Sequence, residues 1–155
     1  MKDRSLRIRN AVPEDIRVMT TLLKELFEIE TDFNFRPIKQ RAGLRRLIKD
    51  PNAAVLVAER DNLVVGMCTV QTVISTAEGG RAGWVEDLVV HGKFRGQGIG
   101  TELLAAAETW AEEHKLSRLQ LLTDSKNKPA LDFYFSQGWD ATNLICRRKY
   151  LKPIR

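Results

Sequence analysis

The sequence predicts an α/β fold: a mixed, mostly antiparallel central sheet flanked by helices, with elements in the order β α α β β β α β α β. Three observations carry that expectation. Apolar residues recur at helical spacing in two long segments, 16–27 and 103–111. β-Branched runs at 54–60 and 63–70 are separated only by Asp61-Asn62, a two-residue link suited to a hairpin. A glycine-rich stretch, 95–100, joins a strand-like run to the second helix.

In chain order, Leu6-Arg7-Ile8-Arg9 alternates as a half-buried strand. Val12-Pro13-Glu14-Asp15 then places Pro and acidic residues where a helix N-terminus favours them. Ile16, Met19, Leu22, Leu23, Leu26 and Phe27 give the following helix one apolar face. Residues 31–37 interrupt it, and a second helix with Leu44, Leu47 and Ile48 on one side runs to Asp50-Pro51-Asn52. After the hairpin, 75–83 reads as a loop because of Glu78-Gly79-Gly80, and 84–90 as a strand. A helix is expected over 98–115, a strand over 119–123 and a short helix over 129–136, with Pro129 in its first turn and Gly138 as its stop. A final strand is expected over 144–151.

With 155 residues, 43% of them hydrophobic, the chain can bury one core, and a single domain over 1–155 is expected. No window reaches the roughly 18 consecutive apolar residues of a membrane span, and the N-terminus lacks the apolar run of a signal peptide, so a cytoplasmic protein is expected. Cys68 and Cys146 stand alone in apolar runs and read as reduced core residues. His91 and His114 have no companions at metal-ligand spacing, and no metal is expected. The net charge of +5 suits an acidic ligand, but the cations are spread over 4–9, 36–49 and 147–155. Nucleic-acid binding calls for clustered cations interleaved with aromatics, and none is expected.

The chemistry concentrates where the strand 84–90 leads through His91-Gly92-Lys93-Phe94 into Arg95-Gly96-Gln97-Gly98-Ile99-Gly100. Glycines at alternate positions before a helix let backbone N–H groups approach a phosphate, and the helix dipole adds positive potential. A P-loop would need Lys and Ser/Thr after its glycines, whereas Gly100 is followed by Thr101-Glu102. A dinucleotide fingerprint would need G-x-G-x-x-G directly after the strand. The remaining match is Arg-x-x-Gly-x-Gly, and the segment resembles the acetyl-CoA pyrophosphate loop of GNAT (GCN5-related) N-acetyltransferases at Arg95, Gly98 and Gly100. The preceding strand, the segment from Asn127 through Pro129, Ala130, Phe133 and Tyr134 to Gly138-Trp139, and the upstream hairpin look like family counterparts in the family's order. Within that family the segment resembles small spermidine/spermine-type members.

The resemblance implies the GNAT fold, acetyl-CoA as cosubstrate and an N-acetyltransferase activity. It assigns the pantetheine arm to the backbone of Leu88, Val89 and Val90, and the pyrophosphate to the N–H groups of Arg95, Gly96, Gln97, Gly98, Ile99 and Gly100. Asn127 would bind cofactor from the next strand–helix turn, and Val89 or Val90 would supply oxyanion donors.

An amine acceptor needs a base, because it is mostly protonated at neutral pH. Glu86 and Asp87 interrupt an apolar strand, and simple alternation puts Glu86 on one face with Trp84, Leu88 and Val90. Resemblance names Glu86 first as the base, through water, with Asp87 second or orienting the amine; pairing with a surface Arg is the competing role. Tyr134 stands where the family commonly places a proton donor to the leaving thiolate, and packing beside Phe133 is its competing role.

The acceptor is expected to be a small-molecule amine, with a protein lysine or N-terminus as the alternative and a non-catalytic acetyl-CoA sensor as a reading of another class. Glu25, Glu28, Glu30 and Asp32 fit either attraction of a cationic amine or an ordinary solvated face. Phe33, Phe35 and Trp84 fit either an apolar wall over the acceptor or plain packing. A homodimer through residues 145–150 would cover a sheet edge.

Overall fold

The computed structural model describes residues 5–152. The chain forms two compact units, residues 1–121 and 122–155. In the first, β1 (Leu6–Asn10), a short 3-10 turn (Pro13–Asp15), α1 (Ile16–Ile29) and α2 (Pro37–Lys49) precede β2 (Ala53–Arg60), β3 (Leu63–Ser75) and β4 (Gly80–Val90). A second 3-10 turn (Gly92–Phe94), α3 (Ile99–Glu113) and β5 (Leu119–Leu121) complete it. The sheet order is β1-β2-β3-β4-β5, antiparallel except for the parallel β4–β5 pair. The second unit contains α4 (Lys128–Ser136).

Two cores follow from the alternation of the strands. Val55, Val57, Met67 and Val89 face α1 and α2, where Met19, Leu22, Leu23, Leu26 and Leu44 close over them. The residues between them in register, among them Leu56, Cys68 and Gly66, face the opposite layer, where Leu103 and Ile99 of α3 approach so closely that a Cβ on Gly66 would lie 3.0 Å from Leu103. Fully burying such a side chain contributes about 1.5–3 kcal/mol, so these two sets fix the register of the sheet.

The Asp61-Asn62 hairpin forms as expected, both residues taking left-handed backbone at φ 51° and 63°. The loop expected over 75–83 is instead a tight turn between long strands: Ser75 pairs with Gly80, and Gly79 turns the chain at φ 67°. Gly83 belongs inside β4, because a Cβ there would sit 2.6 Å from Leu119 and 2.7 Å from Leu116. What read as a loop glycine is a site of close approach.

The strand expected over 144–151 does not form. Residues 144–152 carry no regular structure, and Leu144, Ile145, Tyr150 and Leu151 are exposed by 72–82%. A run of suitable composition becomes a strand only where a neighbouring backbone completes its hydrogen bonds, and this run has no ladder partner among the described residues. Cys146 lies within it and is exposed, whereas Cys68 is buried in β3 as expected. Burial, with the nearby Asp87 charge, pushes the Cys68 thiol up to about 12.

Asp15 fastens the first turn of the α1 region to the sheet. It is 7% exposed, accepts two bonds from the Arg9 guanidinium at 2.7 and 3.0 Å and one from the Val12 N–H at 2.8 Å. Arg9 also reaches Glu59 on β2. The Arg9 bond holds the Asp15 carboxyl below the usual carboxylate range despite its burial. Asp15→Ala should cost about 1–3 kcal/mol at pH 7 by leaving the Val12 N–H unpaired and Arg9 with Glu59 as its one acidic partner among the described residues. Because the folded pKa is lowered, this contribution is present above the unfolded value near ~4 and lost as pH falls through the folded one. Urea denaturation at pH 7 and pH 3 should therefore show the gap between wild type and variant narrowing in acid.

Candidate active site

β4 has a partner on each side only at its start. Gly83, Trp84 and Val85 pair with Leu119, Gln120 and Leu121 of β5, and beyond Val85 that side of β4 has no ladder partner among the described residues. On the other side β4 stays paired with β3 up to Val90. The register shows which groups face the open side. His91 N–H bonds the Val65 carbonyl, and the Val89 carbonyl lies 3.2 Å from where a Cβ on Gly66 would be, so the backbone of Val89 turns toward β3. With a period of two, the backbone groups of Leu88 and Val90 turn the other way, to the open edge.

A β-bulge interrupts that strand at Glu86. Asp87 pairs with Thr69 and Val85 with Val70, so Glu86 is the extra residue without a partner on β3. The bulge overturns simple alternation: Glu86 does not share a face with Trp84, Leu88 and Val90. Trp84, Asp87 and Val89 share the α1/α2 face, opposite Gln71, Thr69 and Met67, while Val85, Leu88 and Val90 face the α3 layer.

The two carboxylates consequently have different surroundings. Glu86 is exposed. Asp87 is partly buried, its Oδ2 accepting from the Thr69 hydroxyl at 2.8 Å while its own N–H donates to Thr69 Oγ1 at 3.1 Å. Burial pushes the Asp87 carboxyl up to about 6; the Thr69 bond opposes the rise and the neighbouring Glu86 charge adds to it. Thr69 is fully buried, and nothing in the sequence marks it, because only the bulge brings it opposite Asp87.

The loop after β4 is shaped by backbone. Gly96 and Gly98 adopt φ 71° and 79°, which L residues with side chains rarely tolerate, and the space where a Cβ would stand is open above both. Gly98 caps α3, whose first turn presents N–H groups without intrahelical partners; Ile99 is buried, and Gly100 already lies within the helix. The Gln97 side chain bonds Arg60 and reaches the Lys93 carbonyl. Arg95 points back along the chain, its Nε donating to the Val90 carbonyl at 2.8 Å.

Glu25 of α1 holds this loop. One carboxylate oxygen accepts from the Gly92 N–H at 3.0 Å and from Arg95 at 3.2 Å, and the other lies 3.4 Å from His91 Nε2. His91 Nδ1 meanwhile accepts from the Lys93 N–H, which assigns the ring proton to Nε2. Of the acidic cluster read as either an amine attractor or a solvated face, Glu25 is neither. Its partners lie about seventy residues away in sequence, so no local pattern announces them. Phe33 packs against Phe27 with ring centres 5.5 Å apart and planes tilted by 37°.

In the second unit Asn127 accepts the Ala130 N–H at 3.3 Å and caps α4, with Pro129 in the first turn as expected. Gly138 follows the helix end at φ 82°. Tyr134 is partly buried between Phe133 and Trp139, at 5.3 and 6.0 Å. Among the described residues no three His, Cys, Asp or Glu side chains gather as a metal site, and no helix is long and apolar enough to cross a membrane.

An open strand edge running into a left-handed glycine loop at a helix N-terminus is the arrangement the glycine motif required, and the comparison with known sequences gives it a class. The chain belongs to the GNAT acetyltransferase family, whose sequence profile, described as Acetyltransferase (GNAT) family, matches residues 19–139. The chain is 32% identical over 132 residues to the aminoalkylphosphonate N-acetyltransferase of Salmonella typhimurium, covering 85% of this chain and 83% of the relative. It is 31% identical to the thialysine N-epsilon-acetyltransferase of Mus musculus, covering 87% and 89%. Among solved structures, an aminoglycoside acetyltransferase, meta-AAC0020 from an uncultured soil metagenomic sample, superposes with a TM-score of 0.78 at 25% identity, covering 99% of this chain and all of that one. The family uses acetyl-CoA.

Glu25→Ala should release the loop without unfolding the sheet. Amide exchange measured by mass spectrometry is expected to speed up more than about tenfold over 92–98 while the global unfolding free energy falls by no more than about 1 kcal/mol, because the lost bonds are solvent-exposed.

Proposed function

We propose that this protein is an acetyl-CoA-dependent N-acetyltransferase that carries the acetyl group to a primary amine by direct attack. The backbone edge at Leu88 and the Val90 N–H, beyond the reach of β5 and ending in the Gly96–Gly98 turn, is the observation that carries the reading. The edge can pair with an extended amide-bearing arm, and the loop N–H groups with a diphosphate, which fits acetyl-CoA in both of its halves.

In this reading Arg95, Gly96, Gln97, Gly98, Ile99 and Gly100 hold the pyrophosphate through backbone N–H groups. Leu88 and Val90 align the pantetheine arm, and an N–H of the same edge stabilises the oxyanion as the amine adds to the thioester carbonyl. Val89 serves by packing, since its backbone is committed to β3. Asn127 contributes to cofactor binding from the turn before α4. The amine loses a proton to a carboxylate, nitrogen attacks, and the thiolate leaves, taking its proton from Tyr134. Cys68 is no rival nucleophile, being fully buried with a thiol raised to about 12.

Between the two carboxylates, the surroundings favour Asp87 as base. It shares the α1/α2 face with Trp84, its Oδ2 is steadied by Thr69, and its raised pKa leaves it ionised yet basic near neutrality. Glu86, in the bulge, raises the pKa of Asp87 and attracts a cationic amine. The relatives named above act on an aminoalkylphosphonate, thialysine and aminoglycosides by their descriptions, which supports a small-molecule amine here. A cytoplasmic location and a homodimer belong to the same proposal.

Acetyl-CoA incubated with a panel of small amines and lysine peptides, with products followed by mass spectrometry, tests the reaction and the acceptor class together. An acetylated small amine is expected; acetylated peptide alone would move the acceptor to protein, and cofactor binding without any product would favour a sensor. The pH profile then tests the base. Wild-type kcat/KM should rise through pH about 6, and Asp87→Asn should lower it by about 10²-fold or more and remove that limb. Glu86→Gln should only shift the limb downward, and the opposite pattern would make Glu86 the base. Since the Asp87 pKa is raised in the folded state, its ionisation costs stability as pH rises from about 4 to 6. Asp87→Asn should therefore melt higher relative to wild type at pH 8 than at pH 4 by calorimetry.

A further inference from the structure

The helix α2 carries Lys39, Arg41, Arg45, Arg46 and Lys49 and no acidic residue in its thirteen positions. Arg41, Arg45 and Lys49 follow one another at intervals of four, so like charges stand on successive turns, an arrangement that destabilises a helix in isolation. A helix shaped only for solubility would alternate the signs.

The same row lines a groove of about 760 Å³ between α2 and the start of α1. Arg17 of α1 adds a fourth cation, Pro13, Ile16 and Ile48 give it apolar surface, and Glu14 is the one acid present. Arg17, Arg41, Arg45 and Lys49 are exposed and make no ion pair or side-chain hydrogen bond among the described residues. None of the lining residues belongs to β4, the glycine loop or α3, so the groove is separate from the site assigned to acetyl-CoA.

We propose that this groove binds the phosphate backbone of a single-stranded nucleic acid. From Arg41 to Lys49 the helix rises about 12 Å, enough to set three cations along successive phosphates. Three of the four are arginines, whose planar fork matches phosphate oxygens. An acidic peptide would gain little here, because each exposed ion pair with a carboxylate contributes only about 0–1 kcal/mol. A nucleic-acid strand carries condensed counterions, and their release favours binding even to exposed cations. No aromatic side chain lines the groove, so bases are not stacked and the recognition is independent of sequence. The proposal departs from the expectation of no nucleic acid because cations over 36–49, dispersed in sequence, converge with Arg17 once α1 and α2 pack together.

The test is fluorescence anisotropy of a labelled oligouridylate with the full chain at several salt concentrations. Four phosphate contacts predict a slope of log K against log salt near −3, a loss of roughly 50-fold between about 50 and 200 mM. R41Q/R45Q/K49Q should bind at least about tenfold more weakly at the lower salt with a slope near −1. Its melting temperature should equal or exceed that of wild type, since the repulsion along α2 is relieved, and this separates lost binding from lost folding. R147Q/R148Q should bind as wild type does. Absence of binding at low salt, retention of full affinity by the triple variant or loss of it in R147Q/R148Q would overturn the proposal. So would displacement by polyglutamate at equal charge concentration, which would make the partner an acidic peptide, or by tripolyphosphate at equal molarity, which would make it a free phosphate compound.

Discussion

Glu86 has no partner on β3, and this one-residue excess decides which side chains of β4 meet which layer of the molecule. Were Glu86 paired in a regular ladder, Asp87 would turn toward α3 and Leu88 toward α1, because the side-chain period of a strand is two. With the bulge, Val89 closes the core under α1, Asp87 meets Thr69, and Leu88 and Val90 turn their backbone to the open side. The bulge falls where β5 ceases to pair with β4, so the strand bends at the point where its edge becomes free.

The buried carboxylate and the loop are stabilised by different means. Burial raises the Asp87 carboxyl and the Thr69 hydroxyl opposes that rise, so its pKa settles at about 6, near the working range of a proton acceptor. The loop relies on partners at its rim: Glu25 takes the Gly92 N–H and the Arg95 guanidinium. The charge of Arg95 is directed at α1 and the Val90 carbonyl, so the positive potential within this loop comes from oriented backbone and the α3 dipole.

Helix α1 is common to both regions of the first unit. Its C-terminal half carries Glu25 and thereby the loop, while its first turn is fastened through Asp15 to Arg9 and bears Arg17 on the basic groove. The same apolar face, Met19 to Leu26, binds all of this to the sheet. The β4 edge with its glycine loop and the basic groove therefore both rest on α1 while using different residues.

The sequence by itself determined the family and every expected element but the last strand. Periodicity of 3.6 marked α1 and α3, the Asp61-Asn62 link marked the hairpin, and the glycines before α3 marked the loop that opens it, because each is written in neighbouring residues. Tertiary structure decided what depends on distant partners. Register alone revealed the bulge, and with it the separation of Asp87 from Glu86; packing alone turned Gly83 from a loop residue into a strand residue. Thr69 meets Asp87, and Glu25 meets the loop, only once β3 and α1 reach the middle and the end of β4. The run over 144–151 had the composition of a strand but no backbone to complete it, since hydrogen bonding between strands is a property of two segments and composition is a property of one.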